Sequence, residues 1–532
     1  MYKNRKWVIF SLALLSLIAF IIFAIPNSKA SENLAMVTMF EPDEAAMTWI
    51  PMRMVSPQPN LVHTIYRLVA YGFYHYGWAH FLPSALVYKI LTWLGQGDNM
   101  PLVMLSYRQL ITVLPMIASL LVLVYLQDQF KTWRSVALFI FLLSVPAIVQ
   151  NGFWWHPDGL AMFFSSLVLY FLWKDNRQFG KHFYIAAAVC GVLTALKVIG
   201  LFFFLTIAMV LIWGLVEKRL TWKQFFAKAF TFILVMAAGI LISSPYLLIP
   251  SHRELAIGNL MGEIFGTSDG YLVYYAKGLQ AAWSTIRAYY GELIFLLAAL
   301  AVSVWSLWDK ETRYLRALIL SWFIPLTVHL LLFSHFKPHY WLPVAIPMLS
   351  NLAFLPPANM KTWRNKDRTS LIKAALLLVV VAQFGVFLDR DVELFRNRIT
   401  RAENNQEINF YYRAADELAP VAQDLTVYYD YRLYLPETEG WFVDSTFDLL
   451  TYNYIQERDF DVLMLSHQRI RDYLQPSAVG IDADTFALSQ AFYSDADNEQ
   501  LEGYKLLFRD PAALLYIKEE LCQTYYSQER CE

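Results

Sequence analysis

The chain predicts a polytopic α-helical membrane protein of about eleven transmembrane helices, followed by a small C-terminal extracytoplasmic α/β domain. Three observations predict it. Of 532 residues, 57% are hydrophobic, 16% aromatic and only 16% charged, with a mean hydropathy of +0.38, more apolar and less charged than ordinary soluble domains. Apolar segments long enough to cross hydrocarbon recur throughout residues 1–388. The formal net charge of −1 conceals a split: from Asp389 onward 28 acidic residues stand against 13 basic ones, leaving the upstream part with a surplus of about 14 positive charges. Residues 389–532 are therefore a separate soluble domain. No nucleic-acid partner is expected.

The first apolar run, Trp7 to Ile25, follows Lys3, Arg5 and Lys6. It fits a signal peptide, with Ser28-Lys29-Ala30 as a passable cleavage site. An uncleaved span is the preferred reading, because about 19 apolar residues cross a bilayer and the acidic motif that follows needs anchoring at the membrane. Further spans are expected at approximately 109–127, 135–150, 159–173, 183–196, 199–216, 228–249, 289–308, 315–334, 341–355 and 371–388.

Cations fall in alternate connections: Lys131 and Arg134; Lys174, Arg177 and Lys181; Lys218, Arg219 and Lys223; Lys310, Arg313 and Arg316; Lys361, Arg364, Lys366 and Arg368. All share the side of the basic N-terminus, so that side is cytoplasmic. An odd number of spans then puts the tail outside. The bacterial inner or plasma membrane is the expected location. Residues 26–106 form a first outer loop too long for a connector, with aromatic-rich amphipathic stretches at 45–56 and 60–94 that suit helices lying in the interface plane.

The tail is long enough for one domain. It shows a polar helix candidate around 404–419 and strand candidates at Leu425–Leu435, Asp461–Ser466, Tyr504–Phe508 and Ala513–Ile517. Cys190 lies in an apolar segment, and Cys522 and Cys531 can pair if the tail is in an oxidising compartment. There is no internal repeat, Gly-rich phosphate loop or paired-cysteine metal signature.

Five groups of unusual residues collect on the outer side. They are Pro42-Asp43-Glu44; Tyr74-His75-Tyr76-Gly77; Arg108; Trp154-Trp155-His156-Pro157-Asp158-Gly159; and Lys197 together with His335-Phe336-Lys337-Pro338-His339-Tyr340-Trp341-Leu342-Pro343. Ionisable groups beside hydrocarbon are costly and usually functional. In order, these residues resemble the GT-C superfamily of multi-span glycosyltransferases, within it the protein O-mannosyltransferase and aminoarabinose lipid A transferase branch. Pro42-Asp43-Glu44 is similar to that family's acidic motif after the first span. His75-Tyr76-Gly77 is similar to a motif that has Pro-Pro in many members where this chain has Tyr76-Gly77. His156-Pro157-Asp158 resembles the family's short outer loop between the third and fourth spans, Lys197 its lysine after the fifth, and His339-Tyr340-Trp341-Leu342-Pro343 its Arg/His-Tyr-x-Leu-Pro element. The likeness covers about 390 residues, and its specificity lies in the series rather than in any one motif.

The resemblance implies transfer of a monosaccharide, a hexose or pentose, from a polyprenyl-phosphate donor. The acceptor would be a glycolipid, a polysaccharide or a protein, on the exoplasmic face. Such a reaction needs one base to take the acceptor's proton, and Asp43 is that residue, with Glu44 as its helper or its alternative. A phosphate leaves as a stable anion, so cations replace the second carboxylate of a glycosidase, and inversion is expected. Arg53, Arg108, Lys197, Lys337 and His339 are the candidates for the phosphate; His75, Tyr76, His156, Asp158 and Tyr340 are the candidates for substrate contacts. Structural roles compete for each. Asp43 and Glu44 suit a solvated turn or helix cap, Asp158 a cap, Lys197 a snorkelling cation, Arg108 an interfacial anchor, and the outer aromatics a membrane belt. No cofactor is expected. Asp43, Glu44, His75 and His156 are suitable metal ligands, but their scatter does not indicate a metal. A polymerase or ligase of lipid-linked oligosaccharides is the alternative. A lipid-linked sugar flippase is disfavoured because the ionisable groups gather at one face instead of at midplane.

Overall fold

The computed structural model describes residues 2–269, 272–355, 368–446, 448–478 and 481–531. Lys361, Arg364 and Lys366, on which part of the expected topology rests, lie outside the described residues, as do the side chains of Lys3 and Arg368. Two compact units emerge. One comprises residues 1–28, 49–263 and 277–398; the other comprises 29–48, 264–276 and 399–532. The expected division at 388 falls inside a continuous helix, Arg368–Thr400, because the polar residues from Asp389 onward extend the last apolar helix by three further turns instead of breaking it.

The first unit is helical. Among the described residues six helices are long and apolar enough to cross a membrane: Asn4–Asn27, Met100–Asp128, Val198–Val216, Trp222–Ser243, Arg313–Leu332 and Leu371–Thr400. Two bent pairs bring the number to eight. Arg134–Leu143 with Pro146–Gly152 turns through 63°, and Leu279–Tyr290 with Leu293–Trp308 through 80°. Proline at the start of Pro146–Gly152 and the positive φ of Gly291 are the local causes. The other three expected spans are helices Asp158–Asp175, Lys181–Leu196 and Pro338–Ser350. The last two are short, and Pro338–Ser350 is apolar and buried from Trp341 onward, so neighbouring helices cover it.

Close helix crossings are built on glycine. A Cβ on Gly191 would stand 2.3 Å from the Met236 carbonyl oxygen and 2.9 Å from the Gly239 Cα. Helices Lys181–Leu196 and Trp222–Ser243 thus meet backbone to backbone, the small-residue packing expected between helices in lipid. Arg316, counted from sequence among the cytoplasmic loop cations, is instead buried within its helix and donates to the Gln127 and Asn351 side-chain oxygens. Helix Leu61–Val69 buries no residue. Leu61 and Val62 are 72% and 74% exposed, and Ile65 and Tyr66 lie bare beside them, as an interfacial helix requires.

The second unit holds a five-stranded mixed sheet in the order β2-β1-β3-β5-β4. Its strands are β1 (Leu425–Tyr429), β2 (Trp441–Asp444), β3 (Val462–Ser466), β4 (Tyr504–Arg509) and β5 (Ala513–Lys518). β1 pairs in parallel with β2 and β3; β5 is antiparallel to β3 and β4. Alternation buries both faces. Val462, Met464, Leu515 and Ile517 pack with Phe410 and Leu418 on one side, while Leu463, Leu465, Leu514 and Tyr516 pack with Phe492 and Tyr493 on the other. Cys522 and Cys531 form a disulfide, and Cys190 is buried and free.

Candidate functional site

Three chain breaks in the first unit present the polar groups. Helix Lys181–Leu196 ends at Lys197, which turns to extended backbone (φ −153°, ψ 128°) and so releases its side chain from the helix surface. Lys337 is extended before Pro338, as a residue preceding proline must be; this puts His339 and Tyr340 in the first turn of Pro338–Ser350. The Tyr290 hydroxyl donates to the Pro338 carbonyl at 2.5 Å and anchors that turn. Asp158 opens Asp158–Asp175, where the helix dipole favours a carboxylate.

Two glycines let these breaks converge. A Cβ on Gly77 would lie 2.3 Å from the Ala195 carbonyl oxygen, so only glycine allows the Tyr76-Gly77 segment to sit against the end of the helix that delivers Lys197. A Cβ on Gly159 would lie 2.9 Å from the Thr112 carbonyl oxygen, which lets Asp158–Asp175 start against the π-helical segment Arg108–Val113.

The outcome is a chain of paired groups. The Tyr76 hydroxyl bonds His156 Nε2 at 2.7 Å, and His156 Nδ1 bonds one oxygen of the buried Asp158 carboxylate. Lys197 bonds the other oxygen. The carboxylate beside Nδ1 can only accept, so Nδ1 donates to Asp158. Trp154 stacks on His156 at 3.9 Å between ring centroids, and His339 meets the His156 ring at 5.3 Å. The Tyr340 ring lies 4.9 Å below the Lys197 ammonium and 5.8 Å from that of Lys337, within cation–π range. Two ammonium groups thus meet over one aromatic ring, one of them paired with the Asp158 carboxylate.

His156, Asp158 and His339 present ligand atoms within 4.8 Å of one another, a set with the right donors for a divalent cation. Both Asp158 oxygens and both His156 nitrogens already have protein partners, however, and the Lys197 ammonium stands where a cation would neutralise the carboxylate. Tyr76, His156, Asp158 and Lys197 form a continuous hydrogen-bonded chain, with the His339 ring beside it.

Six sequence candidates thus come together: Tyr76, His156, Asp158, Lys197, His339 and Tyr340, with Lys337 beside them. Other candidates have different neighbours. His75 Nδ1 bonds Glu263 at 2.9 Å. Arg53 stacks over Trp49 at 5.5 Å and lies under Gly72. Arg108 is fully buried and donates to the Asn27 carbonyl at 2.9 Å, tying helix Met100–Asp128 to the end of the first span. Asp43 and Glu44 occupy the first turn of helix Pro42–Met54 and belong to the second unit; Asp43 is exposed and Glu44 is buried.

Sequence reasoning overlooked His80. It is fully buried, stacks on Trp155 at 5.2 Å and meets the Tyr76 ring edge-on at 6.1 Å, and neither of its nitrogens has a hydrogen-bond partner. Its spacing was the available signal: His80 and Ser84 fall one helical turn apart on the face of Trp78–Trp93 that Trp155 covers, and Trp155 Nε1 donates to Ser84 at 3.1 Å.

No protein-family model matches the chain, and no curated protein does. Solved structures do. ArnT from Cupriavidus metallidurans matches in the apo state at 12% identity and TM-score 0.53, over 98% of this chain and 99% of that one. The same protein bound to undecaprenyl phosphate matches at 12% identity and TM-score 0.56, over 97% and 98%. An oligosaccharyltransferase from Archaeoglobus fulgidus, in complex with zinc and sulfate, aligns at 12% identity and TM-score 0.47, over 90% of this chain and 70% of that one. Likeness to ArnT over the full length of both chains establishes the architecture: the protein is an integral-membrane chain with the GT-C fold.

Proposed function

We propose that the chain is a membrane glycosyltransferase that moves a monosaccharide, a hexose or pentose, from a polyprenyl-phosphate donor to a glycolipid, polysaccharide or protein acceptor on the exoplasmic face. The observation that carries this reading is the cationic cluster. Lys197 and Lys337 gather over one aromatic ring, two cationic side chains at one place of the kind that binds a phosphate. ArnT, which shares the fold, has been solved with undecaprenyl phosphate bound.

In this reading the acceptor oxygen attacks the anomeric carbon while its proton passes to a carboxylate, and the bond from that carbon to the phosphate oxygen breaks. The leaving polyprenyl phosphate takes the electron pair, and Lys197 and Lys337 stabilise its growing charge. A single displacement inverts the anomeric centre. Asp43 is the base, the role its motif implies. Asp158 is poorly suited to it, because both its oxygens are occupied by a lysine and a histidine.

The test is transfer by purified protein from a short polyprenyl-phosphate monosaccharide, with donor binding measured separately. Asp43→Asn should keep donor affinity and lose transfer. Lys337→Ala should weaken donor engagement, each lost cation costing about 3 kcal/mol, or roughly a hundredfold in rate. Normal turnover by Asp43→Asn removes Asp43 from the chemistry. A requirement for a lipid-linked oligosaccharide as donor would turn the assignment to a polymerase.

A further inference from the structure

The soluble unit carries a groove that the transfer chemistry does not use. It encloses about 410 Å³ and is lined by Tyr429, Glu437, Thr438, Trp441, Asp444 and Ser445, among others, a size within the range of small-molecule sites. Its position follows from the sheet. β1 and β2 run parallel with Tyr428 opposite Asp444, so Tyr429 and Ser445 are the next residues at the carboxyl ends of both strands, and the connection 430–440 passes over them. β2 is the edge strand of the sheet, so the groove opens at the carboxyl edge of the outer parallel pair.

The lining is ordered. Arg458 at 2.7 Å and the Tyr454 hydroxyl at 3.1 Å hold the Asp444 carboxylate. The Tyr411 hydroxyl and Thr438 Oγ1 are 2.9 Å apart, and the Tyr411 ring meets Trp441 edge-on at 6.2 Å. Trp441 is thereby fixed while remaining partly open. Charge narrows the ligand class. The lining carries two carboxylates, Glu437 and Asp444, against the one arginine, Arg458, that pairs with Asp444, a net negative charge that disfavours phosphates and other anions. Aromatic rings beside fixed carboxylates and hydroxyls suit a compact neutral molecule that has C–H faces to lie against the rings and O–H groups to donate to the carboxylates.

We propose that this groove binds a neutral saccharide of one or two rings. In the context of the transferase reading, on which this last step rests, it holds the glycan portion of the acceptor.

The test is saturation-transfer NMR on the full chain in lipid nanodiscs free of glycoside detergents. The probe is a mixture of methyl glycosides of glucose, galactose, mannose, N-acetylglucosamine and arabinose, with spermidine added as a cationic control. At least one glycoside should receive saturation from the wild type. The signal should fall about fivefold or more in Trp441→Ala and in Glu437→Gln; the latter changes an exposed side chain and leaves the core intact. No saturation of any glycoside, signal undiminished in both variants, or saturation of spermidine alone overturns the proposal. Because the readout is binding, a protein that transfers sugar but gives no signal refutes only the groove. One that gives the signal but transfers nothing refutes only the transferase.

Discussion

Lys197 and Asp158 neutralise each other where neither is well solvated: the carboxylate side chain is fully buried and the lysine side chain is 14% exposed. Removing one partner strands the other. Lys197→Met should destabilise the protein by about 3–5 kcal/mol, and adding Asp158→Asn should recover part of that loss, because the buried charge goes with it. Thermal unfolding of the single and double variants decides this; an additive double variant means the pair is not coupled. His80 makes the opposite case. An imidazole with both nitrogens unsatisfied in a buried aromatic setting costs stability, so His80→Phe should raise the melting temperature, by about 1–3 kcal/mol in stability. A lower melting temperature would show that the ring has a structural partner. From sequence, Asp158 and Lys197 were legible as unusual residues but not as partners, since 39 positions separate them.

Glycine contacts between elements set how closely the helices that bring those residues together can approach. Gly77→Ala places a methyl group 2.3 Å from a backbone oxygen at the end of Lys181–Leu196, where backbone must move. Loss of donor binding along with a lower melting temperature is expected, whereas Gly191→Ala, away from the cluster on the same helix, should lower stability first. Ligand affinity and thermal unfolding of the two variants separate these effects. In the second unit, four strands were legible from β-branched and aromatic runs, but β2 was not. Its four residues follow Pro436, Glu437, Thr438, Glu439 and Gly440, and its middle residues Phe442 and Val443 are exposed at the sheet edge, so no burial alternation marks it. The strand expected over Leu425–Leu435 stops at Tyr429 because Asp430 turns inward to accept from the Ser466 amide at 2.7 Å.

Charge and compartment act on the whole molecule. Burial pushes the Asp430 carboxyl up to about 6, against the pull of Arg469 and the Ser466 amide. Its folded value lies above the ordinary carboxylate value of 3.8, so between roughly pH 4 and 6 the folded state binds more protons than the unfolded one, and this group's contribution to stability falls as pH rises through that window. The loss approaches about 3 kcal/mol, and Asp430→Asn should flatten the pH dependence of melting over that range. An unchanged slope would show that Asp430 is ionised throughout. The Cys522–Cys531 disulfide suits the oxidising side of the membrane. In intact cells both thiols should resist a maleimide until a reductant is added, and replacing both with serine should cost about 2–3 kcal/mol given the short loop that the bond closes.

The run of residues alone determined the membrane class, most of the apolar helices, the acidic character of the tail and the order of polar motifs, because each depends on composition or on neighbours within a few turns. Tertiary structure decided the rest. Lys197 faces Asp158, Arg108 is spent on a backbone carbonyl, His80 is shut in against Trp155, and Arg316 leaves the loop for the core. A long cationic side chain has similar local preferences in all these settings; its partner is chosen only when glycine-lined crossings bring distant helices within reach of one another.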